Sequence, residues 1–361
     1  MRLRATDSAP ASGLVIELAS GIDALYMSGH GVVSQALLAD LEAAKLRSQE
    51  AEELVPVDLG GVRANVGPGA WGKYAYRLET PYGLIGVSTS LALPPIRVQP
   101  LAEHLHAVGP ARSVAWFEGI VGSFTRDLRL AASRVDVFSD WHGLTLTAED
   151  RHRFVGRATR LDTHESAGSL TGFEFGRRTT KTVVARIYDK SMDMKRKGSL
   201  WWQDRWGSAY DPARQVMRVE FEFGRKGLMQ YGVDTVWHAL ASAPSLYKAA
   251  STDWLSLRVP TGDDTRSRWP VDPSWLRVQS AAFSAGSVGL DRVLEGRVAG
   301  SLKAMMPALN GYLASFCALT GAPTLHDGLV RLPGSIEDYE IVSHIPFVER
   351  VTDKRRKFRL Q

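Results

Sequence analysis

Three short runs in the middle of the chain decide its fold: RVDVFSD at 134–140, VVARIYDK at 183–190 and MRVEFEF at 217–223. In each run, charged or phenolic residues alternate with apolar ones. Successive side chains on a β-strand point to opposite faces, so this spacing predicts three strands with one apolar and one polar face. We expect the strands to pair in one antiparallel sheet that buries its apolar face.

The polar faces of the three strands combine groups that act together on phosphates. Carboxylate oxygens are the ligands that Mg²⁺ or Mn²⁺ prefers, and arginine and lysine stabilise charge on phosphate oxygens. A tyrosine hydroxyl can attack phosphorus and later return the phosphate, because phenolate is a better leaving group than an alkoxide. The pattern indicates phosphoryl transfer, with ordinary salt bridges on a solvated sheet as the alternative. The residues concerned are Asp136, Asp140, Glu220 and Glu222; Arg134, Arg186, Lys190 and Arg218; and Tyr188.

The composition is that of a globular protein of 361 residues, 44% of them hydrophobic and 23% charged, which leaves room for two domains. The single cysteine, Cys317, excludes an internal disulfide and a cysteine-rich metal site, so we expect a cytoplasmic protein. No apolar run approaches the roughly 20 residues of a membrane span. The net charge of +5 favours a polyanionic partner.

Hydrophobic periodicity predicts the remaining elements. Short strands are expected within 14–30 and 71–89, and amphipathic helices at 33–53, at 148–161 and within 227–250. The first hundred residues are therefore predicted to be rich in strands.

A run of turn formers and charges, Thr261–Pro273, marks the predicted domain boundary. Residues 1–262 then form a domain that carries the three strands. Residues 263–361 form a small, mainly helical domain with helical patterns at 285–320 and a basic tail. We expect that tail to add sequence-independent affinity for a polyanion.

The three runs, taken with Gly176-Arg177-Arg178, resemble the motifs of the replication initiation factor family, which comprises rolling-circle initiators of plasmids and phages and some relaxases. In that family an Arg-x-Asp-x-x-x-Asp strand is followed by a Gly-Arg strand that leads into Arg-x-Tyr-x-Lys, and then by Arg-x-Glu. The resemblance covers residues 130–260 and is weak elsewhere. It implies an α+β fold whose antiparallel sheet is of the HUH-endonuclease type, with flanking helices.

The resemblance also implies a function and a role for each motif residue. It implies a metal-assisted, site-specific nick in one DNA strand at an origin, with Tyr188 joined to the 5′ phosphate and a free 3′ hydroxyl. Arg186, Lys190 and Arg218 would assist Tyr188. A dimer that recruits a host helicase is the expected assembly. The expected Mg²⁺ or Mn²⁺ ligands are Asp136, Asp140 and Glu220, and the expected DNA contacts are Arg177, Arg178, Lys195, Arg196 and Lys197.

Several alternatives stay open at this point. His142 could replace Asp140 as a ligand, and His104 with His106 could bind metal, although their surroundings favour a short helix on which the two side chains diverge. Trp201, Trp202 and Trp206 could stack on bases or serve as packing groups. A conjugative relaxase, or an origin-binding regulator without cleavage, would fit the same motifs.

Overall fold

A computed structural model of the chain describes residues 14–180, 182–284, 302–343 and 346–358. Within these ranges the fold is α+β, as predicted. The strands are β1 (Ile16–Val33), β2 (Val55–Asp58), β3 (Arg63–Val66), β4 (Tyr76–Thr80), β5 (Gly83–Val87), β6 (Ile96–Pro100), β7 (Thr125–His142), β8 (Phe154–Gly156), β9 (Leu161–Ser166), β10 (Ser169–Phe175), β11 (Val183–Asp189), β12 (Val216–Gly224) and β13 (Leu255–Leu257). Eleven of them form one antiparallel sheet in the order β2-β3-β4-β5-β6-β1-β7-β12-β11-β10-β9, and β8 pairs separately with β13.

Of the α-helices in the described ranges, five lie between strands of the large sheet and six follow its last strand, β12, in the chain. None of the helices in the described ranges is both long and apolar enough to cross a membrane. The helices are α1 (Gln35–Ala51), α2 (Ala102–Val108), α3 (Pro110–Phe124), α4 (Lys190–Lys197), α5 (Trp202–Trp206), α6 (Arg225–Gln230), α7 (Val236–Ala249), α8 (Pro273–Gln279), α9 (Leu302–Thr320), α10 (Leu325–Ser343) and α11 (Phe347–Phe358).

The apolar face of the central strands forms the main core, as their alternation predicts. Each fully buried aliphatic or aromatic side chain there contributes about 1.5–3 kcal/mol to folding. Helices α3, α6 and α7 contact this part of the sheet. The buried residues of this face include Val135, Val137, Val183, Ala185, Ile187, Val219, Phe221 and Phe223.

The opposite, polar face is also covered, because a second apolar cluster lies on it. Phe138 and Val216, from the sheet, pack there with Met194 of α4 and with Trp202 and Trp206 of α5. Trp202 is 2% exposed and Trp206 is 3% exposed, so both serve as packing groups. The carboxylates that the central strands place on the polar face are buried, as is Arg218, and Arg134 and Arg186 are half-buried.

Strand β1 is one continuous strand of 18 residues, longer than the short strands predicted within 14–30. It pairs with β7 along its length, and four register shifts interrupt the pairing. One shift lies between the pairs Ile22–Val137 and Ala24–Asp136, so that Asp23 is the extra residue of a bulge. A bulge re-aims the side chain of its extra residue, and here it directs Asp23 into the polar face.

The prediction of a helix at 148–161 is wrong. Residues Ala148–His152 form a short 3-10 turn, and strands β8 and β9 follow it. A capping box between Thr147 and Asp150 closes the turn. Phe154 is then drawn into the core against Trp275, which overrides the helical spacing of the apolar residues.

Contacts divide the chain into a larger unit that ends at Asp291 and a smaller unit, Arg292–Gln361. Helix α8, which follows the predicted boundary at 262/263, packs in the larger unit because Trp275 is fully buried in the main core. The smaller unit is helical where it is described, from α9 to α11. Of the helical patterns predicted at 285–320, the part up to residue 301 lies outside the described residues, as does Arg359 of the basic tail.

Candidate active site

The three motif strands lie side by side, with β12 between β7 and β11. Across the ladders Tyr188 is opposite Arg218, Arg186 is opposite Glu220, and Arg218 is opposite Asp140. The antiparallel pairing predicted from the sequence is confirmed. The register brings the polar side chains of all three strands to one side of the sheet.

Tyr188 is hydrogen-bonded to a carboxylate at the centre of this face. Its hydroxyl donates to Glu220 Oε2 at 3.0 Å. Burial, together with the charge of Glu220, raises the pKa of Tyr188 well above its usual value, although Arg218 and Arg186 oppose the shift. Burial also raises the pKa of Glu220 to about 7, against the effect of Arg186. An acceptor with a pKa near neutrality, in contact with the phenol, is suited to remove its proton.

Arg218 is fully buried and is held by two carboxylates. Its Nε and Nη2 donate to the two oxygens of Asp140 at 2.7 and 2.8 Å, and its Nη1 donates to Asp23 at 2.8 Å. The guanidinium carbon lies 4.1 Å from the ring centroids of Phe138 and of Trp202. Burial alone would raise the pKa of Asp23, but Arg218 holds it well below its ordinary value. Arg218 is thus a fixed positive charge beside Tyr188.

Arg186 lies among three carboxylates. Its Nη2 is 3.0 Å from Asp136 and 3.5 Å from Glu222, and it also donates to Glu220. Arg134 shares two of these partners, since it forms ion pairs with Asp136 and, at 2.9 Å, with Glu222. One guanidinium nitrogen thus lies where three carboxylate oxygens converge.

The residues predicted as metal ligands do not form a metal site as they are arranged. Asp140 is 0% exposed, and its oxygens accept hydrogen bonds from Arg218 and from the indole of Trp206. Asp136 and Glu220 are joined through Arg186. In the ranges that the structure describes, no group of three or more His, Cys, Asp or Glu side chains is placed to hold a metal ion. The metal therefore stays a prediction.

The three histidines considered as alternative ligands have other contacts, and one of them, His106, reaches the polar face with its Nε2 3.5 Å from Asp23. His142 has both ring nitrogens in hydrogen bonds, at 2.9 Å to the carbonyl of Gln215 and at 3.0 Å from the amide of Asp211. His104 and His106 lie on α2 and diverge. The ring of His104 stacks on Tyr82, whereas that of His106 packs against Trp202 and Phe138.

Lys190 is the first residue of α4 and is only 5% exposed. Its ammonium lies 3.3 Å from Asp193, 4.8 Å from the centroid of Trp202 and 5.9 Å from that of Tyr188. Burial and the charge of Arg218 lower the pKa of Lys190. It is therefore a buried cation within reach of the phenol ring.

A groove of about 530 Å³ opens beside Tyr188, and we name it the tyrosine groove. Gly172 lies opposite Tyr188 on β10, and a Cβ there would lie 2.8 Å from the Cβ of Tyr188, so only glycine fits. The lining includes Arg178, Arg186, Met192, Arg196 and Lys197. Arg196 and Lys197 are exposed on the last turn of α4. Carboxylates also line the groove and pair with these cations, Asp193 with Arg196 and Lys197 and Glu174 with Arg178, so an anionic chain would compete with them for the cations.

Two of the cations predicted to bind DNA do not line this groove. Arg177 is exposed just before a short 3-10 turn, and Lys195 is exposed on α4. Trp201 is half-buried and stacks on Trp202, with ring centroids 4.4 Å apart. The structure thus brings Arg178, Arg196 and Lys197 to Tyr188.

Sequence reasoning leaves two members of the polar face out of the candidate site. The signal for Asp23 is an acid among the apolar residues of a predicted strand. Glu222 was placed on the polar face but not among the candidate site residues, although it contacts both Arg134 and Arg186. Its position two residues after Glu220 on the same strand was the available signal.

Comparison with known proteins gives little at the level of sequence. No family model matches the chain, and no curated protein matches it. Among solved structures, it is similar to one titled "Structure of Rolling Circle Replication Initiator Protein from Geobacillus stearothermophilus", with a TM-score of 0.44 and 13% sequence identity over 75% of this chain and 98% of that chain. A TM-score of 0.44 supports no inference about chemistry, so any proposal about function rests on the side chains.

Proposed function

We propose that this chain nicks one DNA strand at a rolling-circle origin of a plasmid or phage and forms a covalent bond between Tyr188 and the 5′ phosphate. The observation that carries the proposal is the 3.0 Å hydrogen bond from Tyr188 to Glu220 beside a groove whose lining includes Arg178, Arg186, Arg196 and Lys197. A phenol next to a base and among arginines is suited to attack a phosphodiester. Dimerisation, a helicase partner and a cytoplasmic location belong to the same proposal.

The proposed step conserves atoms and charge. Tyr188 Oη bonds to phosphorus while its proton passes to Glu220, and the bond from phosphorus to the 3′ oxygen breaks. The 3′ oxygen leaves as an alkoxide and takes a proton from solvent water to give the free 3′ hydroxyl. Joining reverses the step, because the 3′ oxygen of a DNA end attacks the phosphotyrosine and Glu220 returns the proton to Tyr188.

The cations have separate parts in this proposal. Arg218, fixed opposite Tyr188, stabilises negative charge as it develops near the phenol oxygen. Arg186 and Lys190 lie on either side of Tyr188 in the chain and would contact the phosphate oxygens. No step is assigned to a metal ion, because the predicted ligands do not form a metal site as they are arranged.

The test is Tyr188→Phe, assayed on supercoiled DNA that carries the sequence around the chain's own gene, in buffer with Mn²⁺. We expect this variant to keep its fold and its DNA affinity but to lose nicking and the covalent adduct. Tyr210→Phe is the matched control and should nick like the parent chain. An adduct mapped by mass spectrometry to another tyrosine would overturn the assignment. If the unsubstituted chain binds this DNA but never cuts it, the origin-binding regulator is the better description.

A further inference from the structure

A second groove lies on the N-terminal half of the sheet, and we name it the β1–β6 groove. It encloses about 760 Å³. Its floor is made by β1, β6 and β7, where Ser28 pairs with Arg97 on one side and with Ala131 on the other. The lining includes Tyr26, Lys73, Tyr74, Arg97, Arg129 and Arg134.

Arg97 gives this groove its chemistry. Its guanidinium carbon lies 4.0 Å from the centroid of a Trp71 ring and 5.6 Å from that of Tyr26. Arg134 lies 4.9 Å from the same Tyr26 ring. Among the described residues, neither Arg97 nor the exposed Lys73 has a carboxylate within ion-pair distance. Cations that lie against aromatic rings and lack an anionic partner are characteristic of surfaces that bind single-stranded nucleic acid.

The β1–β6 groove connects to the tyrosine groove. Arg178 lines both, and its Nε lies 3.7 Å from Glu222, which lines the β1–β6 groove. Strands β11 and β6 are four strand spacings apart in the sheet, or about 19 Å. A polynucleotide held at Tyr188 could therefore continue over Arg178 into the β1–β6 groove.

We infer that the β1–β6 groove binds the single-stranded DNA that continues from the scissile phosphate. This inference rests on the proposed nicking function. Lys73 and Arg97 contact backbone phosphates, and the ring of Tyr26, which lines the groove, stacks on a base. Only unpaired bases can reach rings on the floor of a groove, so the ligand is a single strand rather than a duplex.

The test is a binding experiment that does not depend on cleavage. The probe is fluorescent dT20, a strand without origin sequence, titrated by anisotropy at several salt concentrations. The double variant Lys73→Gln/Arg97→Gln should bind about tenfold more weakly, and the slope of log affinity against log salt should fall by about 0.7 for each phosphate that is no longer neutralised. Arg126→Gln/Arg268→Gln removes two exposed cations outside both grooves and should behave like the parent chain.

The outcomes separate this inference from the proposed function. Parental affinity and salt slope in Lys73→Gln/Arg97→Gln would overturn the groove assignment, whether or not the chain nicks DNA. A loss confined to a 30-base-pair duplex would overturn the choice of a single strand. Tyr188→Phe should bind dT20 normally, so failure of the nicking assay would leave the groove result intact. Lys73→Glu alone, an exposed change that leaves the core untouched, should weaken dT20 binding in the same direction if the double variant does not fold.

Discussion

Tyr188 lies opposite Arg218 on β12, and its hydroxyl donates a hydrogen bond to Glu220, two residues further along that strand. Diagonal neighbours on one face of a sheet are within reach of a long side chain. The phenol is thereby paired with a base while a fixed cation remains directly across from it. The base and the fixed cation are thus separate residues of one strand, two positions apart.

Nicking should depend on pH through Glu220. Glu220 must be ionised to accept the proton, and its pKa is raised to about 7, so the rate should rise with pH to a plateau above that value. Glu220→Gln should remove this dependence and slow nicking by about 10²–10⁴-fold. Single-turnover nicking rates between pH 5.5 and 8.5 give the profile. An unchanged profile in Glu220→Gln would assign the base to another residue.

Asp140 should prove to be structural. Asp140→Ala leaves Arg218 fully buried with Asp23 as its remaining carboxylate partner, and breaking a buried ion pair costs about 3–5 kcal/mol. Urea denaturation should show this loss in the free energy of unfolding. Asp140→Leu/Arg218→Met, which removes both charges, should recover much of it. Parental stability in Asp140→Ala would instead be compatible with the metal-ligand role that the sequence suggested.

Mn²⁺ and Arg186 should compete for the same carboxylates. If Asp136 and Glu220 bind metal, removing the guanidinium that lies between them should strengthen Mn²⁺ binding by about tenfold, or about 1.4 kcal/mol. Isothermal titration of Arg186→Gln with Mn²⁺ measures this gain. Adding Asp136→Asn should abolish it, and Arg160→Gln, at an exposed ion pair, should show none. Equal affinity in Arg186→Gln and the parent chain would place the metal elsewhere.

The exposed cations of the tyrosine groove should act on binding and not on chemistry. Arg196→Gln/Lys197→Gln should lower the affinity for single-stranded DNA and reduce its salt slope by about 0.7 for each phosphate that these side chains neutralise in the parent chain. At saturating DNA the nicking rate should equal that of the parent chain, since neither side chain contacts Tyr188. Anisotropy and single-turnover assays on the same DNA separate the two effects. A lower rate at saturation would show that these residues also position the scissile phosphate.

The central strands could be predicted from sequence because parity alone assigns each residue to a face. Once Val135 and Val137 are placed in the core, Asp136 must point the other way. The same rule placed Arg186 with Tyr188 and Arg218 with Glu220. Their pairing follows because the apolar faces of all three strands need one common core.

The burial of the polar face could not be predicted, because it depends on where a distant segment folds. Nothing local in WWQDRW at 201–206 indicates that Trp202 and Trp206 pack on the sheet beside Phe138. Asp23 could not be assigned to the polar face for a related reason, since a bulge breaks the alternation by which a face is assigned. The ion pairs that engage Asp136, Asp140 and Glu220 could not be predicted either, because ion-pair partners depend on side-chain packing and not on spacing.

The fixed position of Arg218 has a consequence for the energetics of the proposed nicking reaction. Two carboxylates and two aromatic rings hold this guanidinium, so it cannot reorient when charge appears at the phenol oxygen. In water, dipoles must turn to follow a new charge, and that reorganisation is part of the activation barrier. The guanidinium of Arg218 is oriented once, when the chain folds. The site is therefore electrostatically preorganised. The free-energy cost of orienting this charge toward the transition state falls on folding and not on the activation step.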